Sequence, residues 1–196
     1  MKPAPHPDRP VLALRLTALG TKMDATLASE LFRFINPRFS KAADIVSGVG
    51  ALNADGRWNL AGAMTLSYTS LAPETAMAEA LAQARYYRLP LSKALPRVLV
   101  ALDLKASRVL DLRKGAVHKA LKLSERVIRH GDWRRDNQSG AEAITQAWGF
   151  AFAQAGFEAV IVPSAADRNG ANVLVYPDNR LPGSHFRVKT TVKWPK

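Results

Sequence analysis

Apolar positions recur along this chain with two periods, and each period implies a different element. In "HFRVKTTVKW" they alternate. Phe186, Val188, Thr190, Val192 and Trp194 share one face, and His185, Arg187, Lys189 and Lys193 share the other, as in a β-strand. "FEAVIVPS" and "NVLVYP" are short apolar runs that meet Pro163 and Pro177, and both read as strands. "RVLVALDL" reads as a buried strand and "SRVLDL" as a second, shorter one; "MTLSYTS" is β-prone and puts Tyr68 in or near a strand. "PETAMAEALAQARYY" predicts a helix, with Pro73 suited to the first position, Glu74 complementing the positive end and alanines sustaining it. "AEAITQAWGFAFAQAG" predicts a second, stopped by Gly156, and a third covers about Lys114 to Leu123.

Other stretches carry weaker patterns. Residues 11–33 mix apolar and polar positions without a clean period, so helix and strand both remain open there. "NPRFSKAADIVSGVGALNADG" is punctuated by Pro37, Gly48, Gly50 and Gly56 and reads as irregular, while "RHGDWRRDNQSG" reads as a charged loop. The helices do not alternate regularly with the strands. The expected fold is therefore α+β: one domain over residues 11–196, with a mixed or mainly antiparallel sheet flanked by helices, behind a proline-rich tail at 1–10.

Composition narrows the function classes. The 196 residues are 47% hydrophobic and 22% charged, which suits a folded protein rather than a disordered one. There is no cysteine, which excludes disulfides and thiolate chemistry. His6, His118, His130 and His185 are scattered without metal-ligand spacing, so no metal site is expected. "MKPAPHPDRP" lacks the apolar core of a signal peptide, and no apolar run approaches the roughly 20 residues that span a bilayer; a cytoplasmic location without a membrane partner is expected.

The formal charge of +12 attracts polyanions, and ten of the 28 basic residues lie between Lys105 and Arg135. A solvated basic face and a binding surface both fit that cluster. No phosphate-binding glycine loop, zinc-finger spacing or aromatic RNA-binding signature accompanies it. A basic nucleic-acid-binding protein without catalysis is one reading of the charge.

Candidate chemistry concentrates between residues 54 and 79. Gly56-Arg57-Trp58-Asn59 crowds a turn residue, a planar cation, an aromatic ring and an amide together; Tyr68 and Glu79 follow at equal intervals of eleven residues. Arg57 can cover apolar surface with its stem or present its fork to an anion, and Tyr68 can be a core ring or a ligand platform. Glu74 is explained by the helix dipole. Glu79, about 140° round the helix from it, is not, and its neighbours Ala78 and Ala80 would let another element approach closely. Ser164 follows a strand end, where scaffolds position site residues, but no G-x-S-x-G elbow surrounds it.

The ordered series "FRFINPRF", "GRWNLAG", "LSYTS", "PETAMAEALA", "VPSA" and "NVLVYP" resembles the RES-domain family, toxins of bacterial toxin–antitoxin pairs, from about Leu31 to Asp178. The resemblance implies an ADP-ribosyltransferase-like fold. It also implies degradation of NAD at the nicotinamide–ribose bond, by phosphorolysis or hydrolysis, with ADP-ribosyl transfer to a protein as a neighbouring activity. NAD would be a substrate rather than a cofactor, with inorganic phosphate as the co-substrate of phosphorolysis. The family's functional residues fall on Arg33, Arg57, Tyr68, Glu79 and Ser164. Two positions depart from many relatives: Asp55-Gly56 replaces two glycines, and Phe34 stands where some carry tyrosine. The implied partner is an antitoxin with a helix-turn-helix part, through which any DNA contact would run; homo-oligomerisation is left open.

Side-chain chemistry is consistent with those roles. Arg33 and Arg57 can fork onto pyrophosphate oxygens. Tyr68 offers a face to the cationic nicotinamide ring. Glu79 can stabilise the positive charge that develops on the sugar, and Ser164 can position the ribose or the amide. Nicotinamide leaves as a neutral molecule and needs no general acid, so a site without histidine is chemically adequate.

Overall fold

The computed structural model describes residues 2–95 and 97–193. In chain order, α1 (Arg9–Leu19) leads to β1 (Ala25–Ile35), then α2 (Ala42–Ser47), α3 (Gly50–Asn53), β2 (Ser67–Ser70) and α4 (Pro73–Tyr86). After α5 (Leu91–Ala94) comes β3 (Val98–Asp111), followed by α6 (Gly115–Leu121), α7 (Glu125–His130), α8 (Trp133–Gln138) and α9 (Ile144–Gln154). β4 (Ala159–Pro163), β5 (Ala171–Val175) and β6 (His185–Lys193) complete the chain. Trp194 and the side chain of Lys193, assigned above to faces of the last strand, lie outside the described residues.

The strands run in the order β1-β2-β5-β4-β3-β6, and β1 also pairs with β3. Five strands thus return on themselves, and β6 adds to the outer edge of β3. Among the described strands only β3 and β4 run parallel to each other; the other strand pairings are antiparallel. The fold is α+β with a mixed, mainly antiparallel sheet, as the element pattern implies.

Two apolar clusters flank the strands. One lies among strand residues, including Leu31, Val100, Leu102, Ile161, Val173 and Phe186. The other joins Val160, Val162 and Leu174 to the helices through Trp148, Phe152, Phe157 and Ile128. Burying each large side chain contributes about 1.5–3 kcal/mol.

Five expectations change. The apolar face expected along β6 holds at Phe186 and Val188 only, because a bulge opposite Ala101 and Leu102 shifts the register and leaves Thr190 and Val192 exposed. The open stretch 11–33 holds both element types. α1 buries Leu12, Leu16 and Leu19 at helical spacing and ends at Gly20, and β1 follows. "RVLVALDL" and "SRVLDL" form one continuous strand, because β1 pairs along β3 across the polar stretch at Lys105. The charged stretch 129–140 contains the end of α7 and all of α8, whose N-caps Ser124 and Asp132 accept from Val127 and Arg135 N–H groups. The irregular stretch 36–56 includes α2 and α3.

The proline-rich start is docked. Ala4 exchanges backbone hydrogen bonds with Gly140 and Glu142, and α1 already begins at Arg9. Arg9 grips the buried Glu142 carboxylate through two nitrogens at 2.7 and 2.6 Å.

Candidate functional site

The site lies where β4 ends, β5 begins and α4 passes over them. Glu79 projects from α4 beside small residues, of which Ala76 is buried. Its Oε1 accepts from Ser164 Oγ at 2.5 Å and from Asn172 Nδ2 at 2.6 Å. Oε2 accepts nothing among the described residues, which leaves one carboxylate oxygen for a ligand. Asn172, the first polar residue of β5, is itself held by Ser70 Oγ, which donates to Oδ1 at 2.8 Å. Glu74 is exposed, as its place on another face of α4 requires.

Ser164 is buried, and its hydroxyl does three things. It donates to Glu79 and accepts from the Ala166 and Asp167 N–H groups at 3.1 and 3.0 Å. The loop that follows is fastened from two sides. Arg129 donates to the Ser164 and Asp167 carbonyls, and Thr75 Oγ1 donates to Asp167 Oδ2 at 2.6 Å. Ser164 therefore orients the carboxylate directly.

Arg57, Trp58 and Asn59 sit on a tight turn closed by the Gly56 and Asn59 backbones. Trp58 is core, 2% exposed, with its ring 6.3 Å from Phe152. Arg57 does more than cover that core: its Nη1 donates to the carbonyls of Ile128 at 3.2 Å and Gly131 at 2.7 Å. Partial burial lowers its pKa, while the Glu79 carboxylate acts the other way; Arg134 reinforces the lowering.

Tyr68, on β2, is partly buried, and its hydroxyl locks the turn. It donates to Asn59 Oδ1 at 2.8 Å and accepts from the Trp58 N–H at 2.9 Å. Burial raises its pKa, so the phenol stays neutral. A Cβ on Gly56 would come within 2.5 Å of the phenolic oxygen, so only glycine fits there. Arg33, on β1, reaches Ser67 Oγ at 3.3 Å, and its other donors have no hydrogen-bond partner among the described residues. Burial lowers its pKa and the nearby Tyr68 opposes that shift.

Of the five residues singled out, Glu79 and Ser164 are in direct contact. Arg57 and Tyr68 respond to the Glu79 charge, and Arg33 and Tyr68 to each other. Sequence reasoning missed Asn172, Arg129 and Gln146. Gln146 is fully buried and donates to the Gly56 and Asn59 carbonyls, bracing the turn from α9. Asn172 had a faint signal, a polar residue opening an apolar strand; the other two had none.

The basic cluster is divided by the fold. Arg108 pairs with Asp24, Arg113 with Asp111 and Arg129 with Glu125, so part of the Lys105–Arg135 charge is structural. Among the described residues no three His, Asp or Glu side chains group as metal ligands, and no helix is long and apolar enough to cross a membrane.

Fold and side-chain arrangement together define a small α+β protein whose candidate site is a helix-borne carboxylate set among arginines and a tyrosine. The RES domain model matches residues 30–195, and the chain belongs to the RES domain family. Its fold is similar to that of a chain in the crystal structure of the M. tuberculosis MbcT–MbcA toxin–antitoxin complex. That likeness has a TM-score of 0.73 at 24% identity, over 93% of this chain and 91% of the other. No curated protein matches the sequence.

Proposed function

We propose that this protein is the toxin of a toxin–antitoxin pair and degrades NAD by cleaving the nicotinamide–ribose bond. The observation that carries the reading is the Glu79 carboxylate, with Oε1 fixed by Ser164 and Asn172 and Oε2 open, beside Arg57 and Tyr68. Cleavage builds positive charge on the ribose as neutral nicotinamide departs. A preoriented carboxylate stabilises that charge without reorganising at the moment of reaction. Arg33 and the free donors of Arg57 suit the pyrophosphate, and the neutral Tyr68 ring suits the nicotinamide face. Ser164, with its donor committed to Glu79, acts chiefly by holding the carboxylate.

Membership in the RES family and the similar fold found in a toxin–antitoxin complex support an antitoxin partner for this chain. A helix-turn-helix part in that partner would supply any DNA contact. Nucleic-acid binding without catalysis accounts for the charge of +12 but leaves the Glu79 arrangement without a purpose. The test is incubation of the purified, antitoxin-free protein with NAD, with and without phosphate, followed by chromatography of the products. Nicotinamide release is expected. ADP-ribose 1″-phosphate formed only with phosphate assigns phosphorolysis, and free ADP-ribose assigns hydrolysis. Intact NAD in both samples rejects the proposal.

A further inference from the structure

Arg134 is unlike the other cations of the basic cluster. Its guanidinium carbon lies 4.5 Å from the centre of the Tyr86 ring and 4.3 Å from that of Trp133. Tyr86 lies seven residues after Glu79 on α4, about 20° from it in helical projection and hence on the same face, nearer the helix end. Arg134 is in the first turn of α8, three residues after Gly131, whose carbonyl accepts from Arg57. Among the described residues it makes neither a hydrogen bond nor an ion pair. A solvated arginine that merely covers an aromatic ring does so with its aliphatic stem. Here the planar head itself is against two rings, so its orientation is fixed while its donors stay open.

We propose that Arg134, held between Tyr86 and Trp133 beside the link that anchors Arg57, is a receptor for a phosphate group next to the candidate site. Arg57 and Arg134 carry like charge, which a phosphate bound beside both would neutralise. Arg57 registers the Arg134 charge, which the larger opposing influence of Glu79 and the smaller ones of Tyr68 and Asp132 offset. Asp132 Oδ1 accepts from the Arg135 N–H as the α8 N-cap. The phosphate belongs either to the pyrophosphate of the dinucleotide or to free inorganic phosphate. The assignment of these two sources rests on the NAD-degrading reading; the anion site itself does not.

Calorimetric titration of the whole protein with ADP-ribose and with inorganic phosphate tests the site without requiring turnover. Relative to the natural protein, Arg134→Gln is expected to weaken at least one of these ligands by about tenfold or more. That is the scale of losing one charge-assisted contact. A loss confined to ADP-ribose identifies the pyrophosphate, and a loss confined to inorganic phosphate identifies the co-substrate. Tyr86→Leu should weaken the same ligand by a smaller factor, and Tyr86→Phe, which keeps the ring, should bind as the natural protein does. Unchanged binding of both ligands by Arg134→Gln, or binding of neither by the natural protein, overturns the proposal. Phosphate binding that depends on Arg134 in a protein that leaves NAD intact would remove the enzymatic reading and leave this site standing.

Discussion

The turn that carries Arg57 and the loop that carries Ser164 both border Glu79, yet they are fixed by different forces. The turn is wedged. Trp58 lies in the core, α9 presses on it so closely that a Cβ on Gly149 would collide with the Trp58 carbonyl oxygen, and Gln146 closes it from below. The loop is tethered. Its shape depends on Arg129 at two carbonyls, Thr75 on Asp167, and the Ser164 hydroxyl on two N–H groups. A wedged element answers to volume, and a tethered one to charge and hydrogen bonding. Arg57 is thus set in a rigid frame, while the carboxylate is aimed by a polar network that can be loosened one bond at a time.

This contrast can be broken from either side. The largest effect on stability is expected from Gly149→Ala, where neither helix nor turn can retreat. A loss of about 3 kcal/mol, read by urea unfolding, fits overpacking against backbone, and a loss below about 0.5 kcal/mol would show that the turn is not wedged. Asn172→Ala removes one tether of Glu79 without touching the core. NAD turnover should fall by about 10–100-fold, from the ~1.5–3 kcal/mol of a hydrogen bond to a charged group. An unchanged kcat would mean that Ser164 alone orients the carboxylate. Arg129→Gln acts one step further out, through the loop, and should lower kcat by about tenfold with KM for NAD less affected. A change confined to KM would contradict a positioning role.

The smallest effect concerns pH. The Thr75 hydroxyl holds the Asp167 carboxyl below its ordinary value, helped by the Asn169 and Gly170 N–H groups and Arg129 and opposed by desolvation. Because the folded pKa is depressed, its contribution is fully present above the unfolded value of about 3.9. It disappears as pH falls through the lower folded value. Amide exchange in residues 166–170 should therefore rise relative to the Trp58 amide as pH falls below about 4. Parallel behaviour of both regions would show that they open together.

The two regions also differ in how far the sequence revealed them. The helix of Glu79 and the strand before Ser164 were legible, because each is set by local periodicity or by a proline at its border; the alternation of β6 was legible only as far as Val188, because the bulge beyond it is set by pairing with β3. The length of β3 was not: its polar middle looks like an interruption, and only pairing with β1 carries the strand across it. α7 and α8 were hidden because short helices rely on caps and tertiary contacts more than on propensity. Of the tethers, Arg129 looked like any member of a basic run, and Asn172 like the start of an apolar strand. Their partners are 35 and 93 residues away in the chain. Spacing can bring a carboxylate, a tyrosine and an arginine to notice, but not the groups that aim them.

The most direct test of the account is the rate of NAD cleavage by Glu79→Gln beside that of the natural protein. The amide preserves size and can still accept from Ser164 and Asn172 through its oxygen, so folding should be retained. Removing the charge should lower kcat by about 10²–10³-fold, the scale seen when one preorganised electrostatic group is lost. ADP-ribose should still bind. Full activity in a folded Glu79→Gln protein would contradict the central claim.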